Sequence, residues 1–122
     1  MLISIKRIFK SFIYAWRGLR YTFKNEHNFR VQLLMGICVI IAMILLNIDN
    51  WQKIVLLLLI TLVLVLELIN TIFEKIVDIL KPRIHFYVEI IKDIMAGAVL
   101  IASIGAFIIA LLIFIPYLVA FF

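Results

Sequence analysis

The chain has 122 residues, 67% of them hydrophobic, with a net charge of +5 and a mean hydropathy of +1.26. Soluble domains use roughly 45–50% apolar residues, so a water-soluble globular protein is excluded and one integral membrane domain, residues 1–122, is expected. The single cysteine, Cys38, has no partner for an internal disulfide and reads as a small packing residue; no nucleic-acid partner is expected.

Residues 1–24 form the first element. Ile5, Ile8, Phe9, Phe12, Ile13, Trp16 and Leu19 recur at helical spacing, and Lys6, Lys10, Arg17 and Arg20 fall largely away from them. A basic amphipathic helix with aromatic residues on its apolar side suits a membrane surface, and Arg17 and Arg20 read as anchors to anionic lipid. The basic and apolar residues are interleaved with no small-residue cleavage site, so a signal peptide is a poor match.

Three apolar segments follow, predicting transmembrane helices over about 29–47, 53–77 and 90–119, each near or above the ~20 residues that a bilayer requires. NIDNW, residues 47–51, makes the first connection, with turn-forming Asn and Asp; Trp51, like Trp16, suits an interface. Lys81-Pro82-Arg83 makes the second break. Pro116 is a point where the last turns could bend or loosen. Small residues Ala96-Gly97-Ala98, Ala102 and Gly105 are expected to allow close helix contact.

Seven basic residues, Lys6, Arg7, Lys10, Arg17, Arg20, Lys24 and Arg30, precede the first span or lie at its start, whereas NIDNWQK has only Lys53. The second connection carries Lys75, Lys81, Arg83 and Lys92. The positive-inside rule therefore puts the N-terminus and the second connection in the cytoplasm and the C-terminus outside.

The second span ends in ELINTIFEKIVD, residues 67–78. At 100° per residue, Asn70, Glu74 and Asp78 lie roughly −60°, −20° and +20° from Glu67, so all four share about a quarter of the helix circumference. Polar groups within a membrane are costly and point to a site. Hard oxygen ligands favour Mg²⁺ shared with phosphates, and a deeper carboxylate could accept a proton from a hydroxyl. With basic groups nearby, these are the parts of phosphoryl transfer from a nucleotide to a lipid alcohol. The four glycines, Gly18, Gly36, Gly97 and Gly105, allow neither a P-loop nor a GxGxxG loop, so an ATP site must be unconventional. Thr71 is expected to bond its own helix backbone, and Asp78 is either solvated or paired with Lys81.

ELINTIFEKIVD followed by IKDIMAGAVL, with AWRGLRYTFKNEHNFR upstream, closely resembles the small prokaryotic diacylglycerol kinases, a family that includes undecaprenol kinases. The resemblance covers nearly the whole chain. It implies an all-α integral membrane fold: an N-terminal amphipathic surface helix plus three transmembrane helices, assembled as a homotrimer with active sites shared between subunits. It places Glu67 as the general base for the lipid hydroxyl, with Asn70 beside it. Glu26 and Glu74 match the acids that hold Mg²⁺ and, through it, ATP; Lys92 matches a residue near phosphate and Asp93 one near nucleotide or metal. Arg7, Tyr14, Arg83 and His85 align with nucleotide-side positions. HFYVEIIKD, with Tyr87 and Glu89, is bulkier and more acidic than the family pattern before the Lys92-Asp93 pair. The implied activity is ATP-dependent phosphorylation of undecaprenol, or alternatively of diacylglycerol, in a bacterial cell membrane. A small proton-coupled transporter is the rival class, though it would place its site near the bilayer midplane.

Overall fold

The computed structural model describes residues 2–80 and 85–122, and among them it contains four helices and no strand. Helix α1, Ile5–Asn25, begins at Ser4, whose Oγ accepts the Arg7 N–H at 3.4 Å. Its residues are exposed except Thr22, whose hydroxyl donates to the Gly18 carbonyl at 2.9 Å.

One residue separates α1 from α2, His27–Leu45. Glu26 is extended, with φ −113° and ψ 110°, while its N–H still donates to the Thr22 carbonyl at 2.8 Å. Arg30 crosses this break: its Nη1 donates 2.9 Å bonds to the carbonyls of Phe23 and Lys24. Those carbonyls belong to the last turn of α1, where helical partners run out and a cation is favoured. The arginine thus caps one helix from the first turn of the next and fixes Glu26 between them.

At its far end α2 stops at Leu46, and Asn47 follows with φ +49°, the left-handed conformation that Asn tolerates after a helix. Helix α3, Asn50–Leu80, then starts inside the expected connection, so Asn50 and Trp51 are helical rather than loop. Asp49 accepts the Lys53 N–H through its backbone carbonyl at 3.1 Å, which carries the helix back to that point. Helix α4 runs from His85 to Phe121 and passes through Pro116 unbroken. The missing N–H there costs one bond on an exposed stretch.

The three spans α2, α3 and α4 are each long and apolar enough to cross a membrane. Their outward residues, such as Leu58, Ile101 and Leu112, are exposed, as lipid-facing residues of a bilayer protein are. Met43, Ile48, Leu56 and Ile113 are buried together where α2, α3 and α4 meet. Tyr117 closes that end: its hydroxyl donates to Gln52 Oε1 at 2.6 Å and accepts the Asp49 N–H at 3.2 Å. Farther along, Gln32 Nε2 donates to Ser103 Oγ at 3.2 Å, joining α2 to α4.

Two expectations about small residues change. A Cβ on Gly36 would stand 3.0 Å from Ile60 Cγ2, so Gly36 makes the close helix approach, whereas Gly97 and Gly105 face open space within the protomer. Cys38 is exposed on α2 rather than packed inside. Both follow from which faces α2 and α4 turn toward α3.

Candidate functional site

Buried polar side chains gather at one end of the molecule. Glu67 is 2% exposed, and Asn70 and Thr71 are buried one turn along α3. Because 67, 70 and 71 are three and four residues apart, they present to the same side of the helix. Thr71 donates its hydroxyl to the Glu67 carbonyl at 3.0 Å, as expected of a threonine satisfied within its own helix. Asn70 uses its amide differently: Nδ2 donates to Glu74 Oε1 at 3.1 Å, one turn farther on.

Glu67 and Glu74 share one stripe of α3, two turns apart, and Glu26 is tied to the same end of that helix through Lys75, the residue after Glu74. Glu26 reaches the group from the break between α1 and α2. Its carboxylate lies 3.6 Å from Lys75 Nζ, and the same ammonium sits 5.7 Å from the Tyr21 ring centroid. Three carboxylates with one nearby lysine and one amide donor gather at this end of α3, and of the three only Glu67 is buried. Such a cluster favours a cationic occupant.

Could the donor set hold Mg²⁺? Among the described residues no three His, Cys, Asp or Glu side chains are grouped as ligands for one ion. Two carboxylates from different elements, Glu26 and Glu74, nevertheless suit an ion that is bound jointly with substrate phosphates and water. The chemistry of the site fits that ion.

The other expected residues are distributed more widely. Asp78 is exposed and pairs with Lys92 at 3.8 Å, so its partner is on α4; Lys81 lies outside the described residues. Asp93 follows Lys92 and is exposed. Arg7 and Tyr14 are exposed on α1. At 1.5 Å per residue they lie roughly 28 Å and 18 Å along that helix from Glu26. Arg17 lies 5.7 Å from the Tyr14 ring centroid. Arg83 and the His85 side chain fall outside the described residues.

Sequence reasoning overlooked Lys75 and Tyr21 as neighbours of Glu26, and the capping role of Arg30. Lys75 carried a faint signal, since it is the basic residue next to Glu74. Its contact with Glu26 depends on how two helices pack, which spacing along one helix does not encode.

Comparison with known proteins identifies the family. Residues 13–114 match the prokaryotic diacylglycerol kinase family model. The chain is 36% identical over 115 residues to an undecaprenol kinase of Bacillus subtilis, covering 94% of each protein. It is 34% identical over 103 residues to a diacylglycerol kinase of Escherichia coli, covering 82% of each. A diacylglycerol kinase of Synechocystis sp. is 40% identical over 111 residues, covering 90% of this chain; the chain spans 63% of that longer relative. With the family model matching most of its length and three buried polar residues of the motif on one helix face, the chain belongs to the prokaryotic diacylglycerol kinase family of membrane lipid kinases.

Proposed function

We propose that the chain transfers the γ-phosphoryl group of ATP to the hydroxyl of a membrane lipid alcohol, with undecaprenol as the acceptor. The observation that carries this reading is the buried Glu67 on a transmembrane helix, with Glu74 on the same stripe and Glu26 tied to that end of the helix through Lys75.

Glu67 is placed to take the proton from a lipid hydroxyl that reaches it from the bilayer. A bond forms between that oxygen and the γ-phosphorus, the β–γ bridging P–O bond breaks, and ADP leaves. Asn70 donates to Glu74 and so holds that carboxylate, and Glu26 is held at the helix break by the Arg30 cap. Glu26 and Glu74 would hold Mg²⁺, which supplies charge neutralisation on the phosphates when bound. Lys92 stands near the transferred phosphate and Asp93 near nucleotide or metal. Arg7, Tyr14, Arg83 and His85 serve the nucleotide side. Because Arg7 and Tyr14 lie far along α1 from Glu26, a homotrimer with shared sites would let one subunit's α1 serve a neighbour. The N-terminus and the connection between α3 and α4 face the cytoplasm, where ATP is, and the C-terminus lies outside.

The B. subtilis relative, matched over nearly its whole length, is an undecaprenol kinase, which supports the polyprenol acceptor. Diacylglycerol is the second reading, favoured by the names of the Synechocystis and E. coli relatives. Purified protein in detergent, assayed for Mg²⁺-dependent ATP consumption with each lipid and with Glu67→Gln as the blank, separates the two. Turnover with undecaprenol above diacylglycerol is expected; the opposite preference reassigns the substrate. Consumption with neither lipid overturns the kinase reading and returns the transporter.

A further inference from the structure

Among the described residues, Lys75 is the one cation that pairs with a carboxylate of the acid cluster. Its Nζ lies 3.6 Å from Glu26 Oε1 and 5.7 Å from the centroid of the Tyr21 ring, within cation–π range. Separate parts of the fold thus meet at one ammonium: α3 carries it, α1 supplies the ring, and the break before α2 supplies the carboxylate. The lysine side chain is 49% exposed and that of Glu26 only 19%, so the ammonium covers the carboxylate from the water side. Other basic groups nearby face elsewhere. Arg30 turns its Nη1 to two carbonyls of α1, Lys92 pairs with Asp78, and Lys24 has no ion-pair partner among the described residues.

An ordinary surface ion pair would add little stability and have no further role. The partner's identity argues for more. Glu26 is assigned to Mg²⁺, and a divalent cation and an ammonium on one carboxylate repel each other unless an anion lies between them. The anion that arrives with the metal is the polyphosphate of the nucleotide. Lys75 stands on the side it arrives from, and lysine binds phosphate as a point charge on a flexible stem. The position of Lys92 agrees. Its partner Asp78 lies roughly 4.5 Å along α3 from Lys75 and 60° around it, so one polyphosphate can reach both ammoniums.

We infer that Lys75 is a nucleotide-binding residue, its ammonium turning from Glu26 to the β-phosphate oxygens of a bound nucleotide while Lys92 serves the γ-phosphate. The Tyr21 ring keeps the ammonium beside the cluster during that exchange. This rests on the kinase reading and adds to it a contact for the phosphate that is not transferred. Replacing Lys75 therefore has two effects of opposite sign. Loss of the pair with Glu26 favours the metal, and loss of the phosphate contact disfavours the nucleotide.

Equilibrium titration with trinitrophenyl-ADP and trinitrophenyl-AMP, in detergent at saturating Mg²⁺, reads binding without turnover. Lys75→Met should weaken trinitrophenyl-ADP about tenfold, as expected for one charge-assisted hydrogen bond, and leave trinitrophenyl-AMP within about twofold. Lys75→Arg should hold trinitrophenyl-ADP within about threefold of wild type, because the charge stays in reach. Lys24→Met, which removes a cation outside the cluster, should change neither. Equal weakening of both nucleotides by Lys75→Met overturns the contact, since lost packing and not a lost phosphate partner would then be the cause. Unchanged trinitrophenyl-ADP binding also overturns it, and leaves the kinase reading standing without Lys75. Equal loss in Lys24→Met and Lys75→Met overturns it too, because diffuse surface charge would account for both. A wild-type protein that binds no trinitrophenyl-ADP brings down the kinase reading together with the inference. Circular dichroism and size-exclusion elution confirm that each variant keeps its helices and assembly.

Discussion

Lys75 Nζ stands 3.6 Å from Oε1 of Glu26, and this contact ties the middle of the acidic end of α3 to the single extended residue between α1 and α2. Both partners belong to segments that are far apart in sequence, and the ion pair is half-exposed on its lysine side. Pairs of that kind add little to stability. Their influence is on charge: the ammonium partly neutralises a carboxylate that we assign to Mg²⁺.

Opposite effects on metal demand should follow. Glu26→Gln removes a proposed ligand and should raise the Mg²⁺ concentration for half-maximal ATP consumption by about tenfold or more. Lys75→Met removes a competing cation and should lower it a few-fold, with the thermal midpoint unchanged within error. A Mg²⁺ titration of both variants checks this, and movement in the same direction would remove Glu26 from the metal site.

Glu67→Gln keeps the shape of a buried side chain and removes its ability to take a proton. Loss of a general base costs typically 10²–10⁴-fold, so lipid-dependent turnover should fall by at least about 100-fold. Size-exclusion elution and thermal midpoint should stay close to wild type. Residual activity within tenfold of wild type would move the base elsewhere.

Arg30→Met takes two charge-assisted hydrogen bonds from the last carbonyls of α1. The bonds are exposed, so the stability cost should be about 1 kcal/mol. Activity should fall more than that figure suggests, because the break that carries Glu26 loses its brace. Spin labels on α1 and α2 should show a broadened distance distribution. An unchanged distribution with full activity would mean that helix packing alone sets the angle.

Tyr117→Phe tests the remote end. It deletes the hydroxyl that accepts from Asp49 and donates to Gln52, at a cost of about 1–2 kcal/mol. The thermal midpoint should drop while kcat and the Mg²⁺ requirement hold, because the acids lie at the opposite end of α3. A fall in kcat comparable to that of Arg30→Met would show that the two ends are coupled.

The helical elements and one stripe of chemistry are legible in the residues alone. Three long apolar segments and a basic amphipathic start leave only helices, because backbone groups in hydrocarbon must bond within their own segment. The spacing of Glu67, Asn70 and Glu74 put them on one face, and the Asn70–Glu74 bond follows from that four-residue separation. Asp78 shows where this ends: it shares the stripe yet is exposed, while Glu67 is buried. Periodicity gives an angle around a helix's own axis and says nothing of what covers that face at each height. Lys75 opposite Glu26 and Lys92 opposite Asp78 were therefore settled only when helices packed against one another. The same holds for Gly36 against Ile60. Local sequence sets which groups a helix carries; the packing of neighbouring helices sets which of them meet.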